Sequence, residues 1–375
     1  MLHEKICVSK VGASHLRDGK PLQDSAKVLL KEGYAVFSVA DGHGGERYFR
    51  SDVGSRLAVE IAERKLSELR QTIEGLKGRQ GAINWKAIIS AFEQNSAPDS
   101  TPAARRWENT ISVLKQNIVA DWKKAVKKHF DENPFSDEEK QLCTSLKIPL
   151  ESFAANHENV ENSVASAHTE RTAKNAIEKL YGTTLISCLY IPSLTLTKTE
   201  KSSLWIAIQI GDGTCLAKKA GGEIFCPIEE DKNLGFGMTT SLCSSNAAKD
   251  FRHKCGFEKL DFICACTDGV QDSFTPDGLQ HFVQDIHDNI KTYGAEREQQ
   301  ELEDFFPRLS EQGSGDDVSL AGIFMHDARQ SDVEQFVGEL GEYITLGMKS
   351  LEKKIKSLDC LNGNQLKNIK QGEYK

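Results

Sequence analysis

Four aspartates in this chain have the type and placement needed for phosphoryl or metal chemistry. They are Asp24 in Leu22-Gln23-Asp24-Ser25, Asp41 in Ala40-Asp41-Gly42-His43-Gly44-Gly45, Asp268 in Thr267-Asp268-Gly269-Val270 and Asp316 in Gly315-Asp316-Asp317-Val318. Each stands where an apolar, strand-like run meets a glycine-marked turn. A carboxylate at a strand end projects from a rigid element, and a following glycine lets backbone carbonyls and water come close. Several such oxygens with no His or Cys cluster suit a hard divalent cation, Mg²⁺ or Mn²⁺. Asp-Gly is also a common turn dipeptide, so each aspartate alone is explained by turn chemistry. The conjunction points to a site.

The elements that must hold them alternate in texture. Short β-type runs occur at Lys5–Ser9, Ala26–Leu30 and Tyr34–Val39. Others follow at Thr183–Ile191, Leu204–Ile210, Leu216–Lys219, Asp261–Cys266 and Val318–Met325. From Ser51 to Tyr181 the pattern is helical. Ile111, Leu114, Ile118, Trp122, Val126 and Phe130 recur at helical spacing, with Lys123, Lys124, Lys127 and Lys128 off that face and expected in solvent. A loop-rich stretch runs from Glu229 to Asp250, and a second apolar stripe, from Val333 to Ile355, predicts a C-terminal helix.

The chain has 375 residues with 47 Lys plus Arg against 55 Asp plus Glu, a net charge of −8. That length buries a core without disulfides, and the acidic balance gives no general attraction to nucleic acid or anionic membrane. No apolar run approaches the ~18 residues of a spanning helix, and Met1–Cys7 does not read as a secretory signal, so a cytoplasmic protein is expected. The ten cysteines include no C-x-x-C pair, which argues for buried thiols in a reducing compartment. None has an Arg six residues later, which excludes the phosphate loop of cysteine-based phosphatases.

With these strings in order, the chain resembles the metal-dependent protein serine/threonine phosphatases of the 2C type. The resemblance rests on Gly12-Ala13-Ser14-His15 with Gln23-Asp24-Ser25, on residues 40–45, and on Tyr181-Gly182-Thr183-Thr184-Leu185. It continues in Ile210-Gly211-Asp212-Gly213-Thr214, residues 266–272 and residues 315–320. It implies an α+β fold, a four-layer α/β/β/α sandwich of two antiparallel sheets flanked by helices, over residues 1–326. It also implies two metal ions, Mn²⁺ or Mg²⁺, with a possible third. Asp41 would bridge them with the Gly42 carbonyl as a further ligand. Asp268 and Asp316 would complete the first ion's shell, Asp24 would serve the second, and Asp212 with Asp268 would hold the third. His43 would be the general acid, and phosphoserine and phosphothreonine proteins the substrates, as in signalling by dephosphorylation.

The departures are specific. Gln23 stands where many members have Glu, and Asp317 where Asn is common. The position of the phosphate-gripping arginine is Gly19, which leaves Arg17 as the nearest candidate, with Ser14, His15 or Lys20 otherwise shaping the site. Asp41 and Gly182 stand 141 positions apart, more than the family spacing. Residues 78–165 therefore read as a helical insertion, either a docking site for a substrate or protein partner or a packed decoration, and 327–375 as a C-terminal helical extension. Two other functions fit the same strings: a catalytically silent module that binds phosphoproteins or partners, and a small-molecule phosphomonoesterase.

Overall fold

Strands with alternating or wholly apolar faces must pair and bury them, and the computed structural model shows how they do so. It describes residues 2–75, 88–89, 101–148, 150, 177–195, 201–229, 239–327 and 349. Residues 3–325 form one compact unit. One sheet is ordered β2 (Ser25–Lys31), β3 (Tyr34–Ala40), β4 (Leu185–Thr195), β5 (Lys201–Ile210) and β8 (Arg252–Gly256). The other runs β1 (Leu2–Lys10), β10 (Val318–His326), β9 (Leu260–Cys266), β6 (Thr214–Lys219) and β7 (Ile224–Phe225). The pairings β2–β3, β3–β4, β4–β5, β5–β8, β10–β9, β9–β6 and β6–β7 are antiparallel.

Period-2 geometry gives each central strand two buried faces. Phe37, Val39, Cys188, Tyr190 and Trp205 meet Cys215, Ile263, Ala265 and Ile323 between the sheets. The opposite faces are covered by helices. Outside the first sheet lie α2 (Ser51–Gly75) and α3 (Pro102–Glu132). Outside the second lie α7 (Pro276–Tyr293) and α8 (Ala295–Gln312), numbered after the short helices α1 (Ala13–Asp18), α4 (Asp137–Ser145), α5 (Ala247–Asp250) and α6 (Asp268–Gln271). The expected four-layer sandwich is present. Cys264 and Cys266 share the helix-facing side of β9 as buried thiols, and burial pushes the Cys266 thiol up to about 12.

The stripe from Ile111 to Phe130 is not a docking face. Trp107, Ile111, Ile118, Trp122 and Val126 are buried with Ala58, Ala62 and Leu66 of α2 and with β4 and β5, and the Trp122 indole donates to the Gly54 carbonyl at 2.9 Å. An apolar helix face as long as α3 finds its partner within the same chain. This segment packs into the core against α2, and deleting 80–165 would uncover part of that cluster. Thr101 caps α3 by accepting from the Ala104 N–H, with Pro102 in its first turn. The lysines off the stripe pair locally, Lys123 with Glu178, Lys127 with Asp131 and Lys128 with Glu132. The stripe from Val333 to Ile355 lies outside the described residues.

Arg50 ties the loop after β3 to α4. Its Nε and Nη2 donate to both Glu139 oxygens at 2.7 Å, and Nη1 donates to the Asn133 carbonyl and the Tyr181 hydroxyl, each at 2.8 Å. Phe130, Phe135 and Tyr181 surround the guanidinium. These bonds hold its pKa above the ordinary value although burial opposes them. Arg50→Met should cost about 3 kcal/mol in urea unfolding, the lower end for removing one partner of a buried pair, because Glu139 keeps partial solvent contact. The double variant with Glu139→Leu should recover part of that loss.

Candidate active site

Antiparallel pairing brings the signature loops to one end of the sandwich. Ser25 opposite Ala40 places Asp24 and Asp41 together at the mouth of β2 and β3, and Leu320 opposite Cys266 does the same for Asp316 and Asp268. Asp212 sits in the β5–β6 turn after Gly211, whose φ of 104° belongs to the left-handed region that favours glycine. Carboxylate oxygens of Asp41, Asp212 and Asp268 lie within 4.8 Å of one another. They open with Asp316 and His43 into a cleft of about 660 Å³.

Local bonds fix the loop that carries Asp41. Its N–H donates to Thr184 Oγ1 at 3.0 Å, while its carbonyl accepts from Thr183 Oγ1 at 2.7 Å and the Thr184 N–H at 2.8 Å. The Tyr-Gly-Thr-Thr string thus clamps the Asp-Gly-His loop. A Cβ on Gly42 would come within 2.5 Å of the Gln23 carbonyl, so only glycine fits there. Likewise a Cβ on Gly182 would meet the His43 ring at 2.5 Å.

The His43 N–H donates to the Gly182 carbonyl at 3.1 Å, and its ring sits edge-on to Tyr48. Its Nε2 lies 2.8 Å from Ser241 Oγ, which itself lies 3.0 Å from the Thr183 carbonyl. That contact holds the ring in place whichever tautomer it carries, because the Thr183 carbonyl also accepts from the Leu242 N–H at 3.0 Å and the serine hydroxyl can donate to either neighbour. Burial lowers the His43 pKa, and Asp212 opposes that shift.

The donor set lacks counter-charge. Burial and then the charges of Asp24, Asp268, Asp212 and Asp316 hold the Asp41 carboxyl well above the usual range. Burial with Asp212 and Asp316 pushes Asp268 up to about 7. Oxygen ligands that repel one another when ionised fit a hard divalent cation. The linkage has a definite sign. A carboxylate whose folded pKa is raised contributes stability that is complete below the ordinary value of about 4 and lost as pH rises through the folded value. In chelator, the melting temperature should therefore fall between about pH 5 and 8, and saturating Mn²⁺ should reverse that fall. A profile equally steep in Asp268→Asn would assign the effect elsewhere.

Asp24 is placed differently from the other carboxylates. It is buried, its Oδ2 accepts from Thr267 Oγ1 at 2.7 Å, and it stands behind Asp41 without lining the cleft. Arg17 is an exposed residue of α1 and does not line the cleft either. Lys179, just before the Tyr-Gly-Thr-Thr string, does line it, with Ser241 and Ser244 from the loop-rich stretch. Sequence reasoning missed these three because none lies in a signature string. The ring nitrogens of His15 lie beside Asp316 and Asp317.

The two-sheet sandwich brings its strand-end carboxylates to one cleft, a set of oxygen donors suited to divalent metal ions. The chain belongs to the protein phosphatase 2C family, whose model matches residues 11–307. Among solved structures it is similar to a serine/threonine phosphatase of S. agalactiae, with 12% identity, 87% of this chain and 100% of that one covered, and a TM-score of 0.43. It is also similar to a C. elegans sex determining protein, with 13% identity, 86% and 65% covered and a TM-score of 0.45. A third is the catalytic domain of the serine threonine protein phosphatase PstP in complex with two manganese ions, with 12% identity, 87% and 99% covered and a TM-score of 0.38. No curated protein matches the sequence. Among the described residues no helix is long and apolar enough to cross a membrane.

Proposed function

We propose that this chain is a metal-dependent phosphoprotein phosphatase that hydrolyses phosphoserine and phosphothreonine. The observation that carries this reading is the convergence of Asp41, Asp212, Asp268 and Asp316 on one cleft beside His43, in a chain of the 2C family. Asp41, the Gly42 carbonyl, Asp268 and Asp316 would hold divalent ions, Mn²⁺ or Mg²⁺. Asp24 would act from behind through water, and Asp212 would share a third ion with Asp268. Such ions supply the positive charge that offsets the phosphoryl oxygens and makes the attacking water more acidic.

The chain's own residues do the rest. Lys179 lines the cleft and would attract the phosphate dianion toward an otherwise acidic mouth. His43 would protonate the departing serine or threonine oxygen. Ser241 engages Nε2, which leaves Nδ1 as the ring nitrogen that can hand over a proton without breaking that contact. Ser241 is then a positioning residue that holds the ring against rotation.

The test is hydrolysis by the purified chain of a phosphothreonine peptide and of p-nitrophenyl phosphate, each with Mn²⁺, Mg²⁺ or chelator. Turnover of both with metal and of neither with chelator is expected. Peptide binding without turnover would favour the silent module, and turnover confined to small phosphate esters would favour the phosphomonoesterase.

A further inference from the structure

We propose that His15 is a nitrogen ligand for a divalent transition-metal ion, which its Nε2 binds together with the Asp316 carboxylate. His15 is buried in α1, and its Nδ1 lies 2.9 Å from Asp317 Oδ1. A carboxylate only accepts, so Nδ1 carries the hydrogen and Nε2 is the nitrogen left to bind a metal ion. This is the arrangement of most metal-binding histidines, whose second nitrogen donates to a carboxylate that fixes the tautomer and ring orientation.

Asp317 is the backing group and not a ligand, because both its oxygens are engaged. Oδ1 accepts from the Gly12 N–H at 2.6 Å as well as from His15. Oδ2 accepts from the Gln23 N–H at 2.6 Å and the Asp24 N–H at 3.3 Å. The Asp316 carboxylate is half-exposed, and its Oδ1 lies 3.7 Å from His15 Nε2. That is too far for a hydrogen bond. It matches the span of two ligands that each reach one ion at about 2.0–2.2 Å across an open angle.

A separate observation points to the same spot. Gln23 is 5% exposed, its Nε2 donates to Ser51 Oγ at 2.7 Å, and its Oε1 is buried with no hydrogen-bond partner. A methyl group at Gly44 would stand 3.7 Å from His15 Nε2 and 3.9 Å from that orphaned Oε1. Both atoms therefore lie within 4 Å of one point beside Gly44. A cation held there by His15 and Asp316 would satisfy the amide oxygen as well. An imidazole ligand suits Mn²⁺ and later transition ions better than Mg²⁺, so this position would set metal choice.

The inference rests on the phosphatase reading only through the shared Asp316. The test uses Mn²⁺ alone, added to the full chain at one and at three equivalents and read by pulsed EPR. Expected is ¹⁴N modulation from a directly bound imidazole, converted to the ¹⁵N pattern when histidine is ¹⁵N-labelled in the unmutated protein. His43→Gln should keep the modulation, and His15→Gln should lose it and weaken binding of one Mn²⁺ about tenfold or more. Bound Mn²⁺ without nitrogen coupling overturns the inference and leaves the phosphatase reading standing. Coupling that survives His15→Gln also overturns it. Failure to bind Mn²⁺ at all overturns both.

Discussion

Asp268→Asn should cut hydrolysis of a phosphothreonine peptide by about 10²–10³-fold or more, with a matching loss of Mn²⁺ affinity in calorimetry. The substitution keeps side-chain shape and an oxygen for the Gly269 N–H, which donates to Asp268 Oδ1 at 2.8 Å. What it removes is charge. Asp268 is the carboxylate held between Asp212 and Asp316, so it faces the cations proposed for both sides of the cleft. With one fewer negative charge the ligand set no longer balances two divalent ions. The metal-free variant should also melt higher than the parent above about pH 7, since one ionisation among like charges is gone. Near-normal turnover in this variant would sink the dinuclear reading. Asp212→Ala should be milder and visible mainly at low metal concentration, because Asp212 is exposed and the third ion would have fewer protein oxygens.

For His43→Ala, the loss should depend on the leaving group. A serine or threonine alkoxide is strongly basic and needs a proton as the P–O bond breaks, whereas an aryl oxide needs much less. Phosphothreonine peptide hydrolysis should slow by about 10²–10⁴-fold, the range for general acid catalysis, and p-nitrophenyl phosphate distinctly less. Ser241→Ala supplies the complement. It removes the hydroxyl that holds Nε2 and frees the ring, so it should reproduce part of the peptide loss and spare the aryl ester. Equal losses on both substrates in His43→Ala would mean that the imidazole organises the loop and does not deliver a proton.

Much of the fold could be read from the sequence, and the exceptions share a cause. β2, β3, β5, β9 and β10 follow runs of apolar residues that alternate or continue for strand lengths, and each appears within a few residues of expectation. β8 was hidden because Arg252, His253 and Lys254 give it a polar face at the edge of its sheet. The helices α7 and α8 were overlooked although Leu279, Val283, Ile286 and Ile290 recur at helical spacing. For α3 the sequence shows an amphipathic helix but leaves docking and packing both open, because periodicity tells which face is apolar and not what covers it. The carboxylates were legible because their glycines mark them. Lys179, Ser241 and the environment of His15 were not, since each acts through a neighbour far away in the chain.

Asp317 gathers N–H donors from Gly12, His15, Gln23 and Asp24, all 293 to 305 residues earlier in the sequence. Contacts of such long range close late, after the intervening chain has lost its freedom to nearer pairings. A nascent chain that has already formed β2 to β5 still lacks the acceptor that holds its first loop. The cleft can therefore mature only after Asp317 has left the ribosome, and products truncated before it that keep both Asp24 and Asp41 should be unable to organise them.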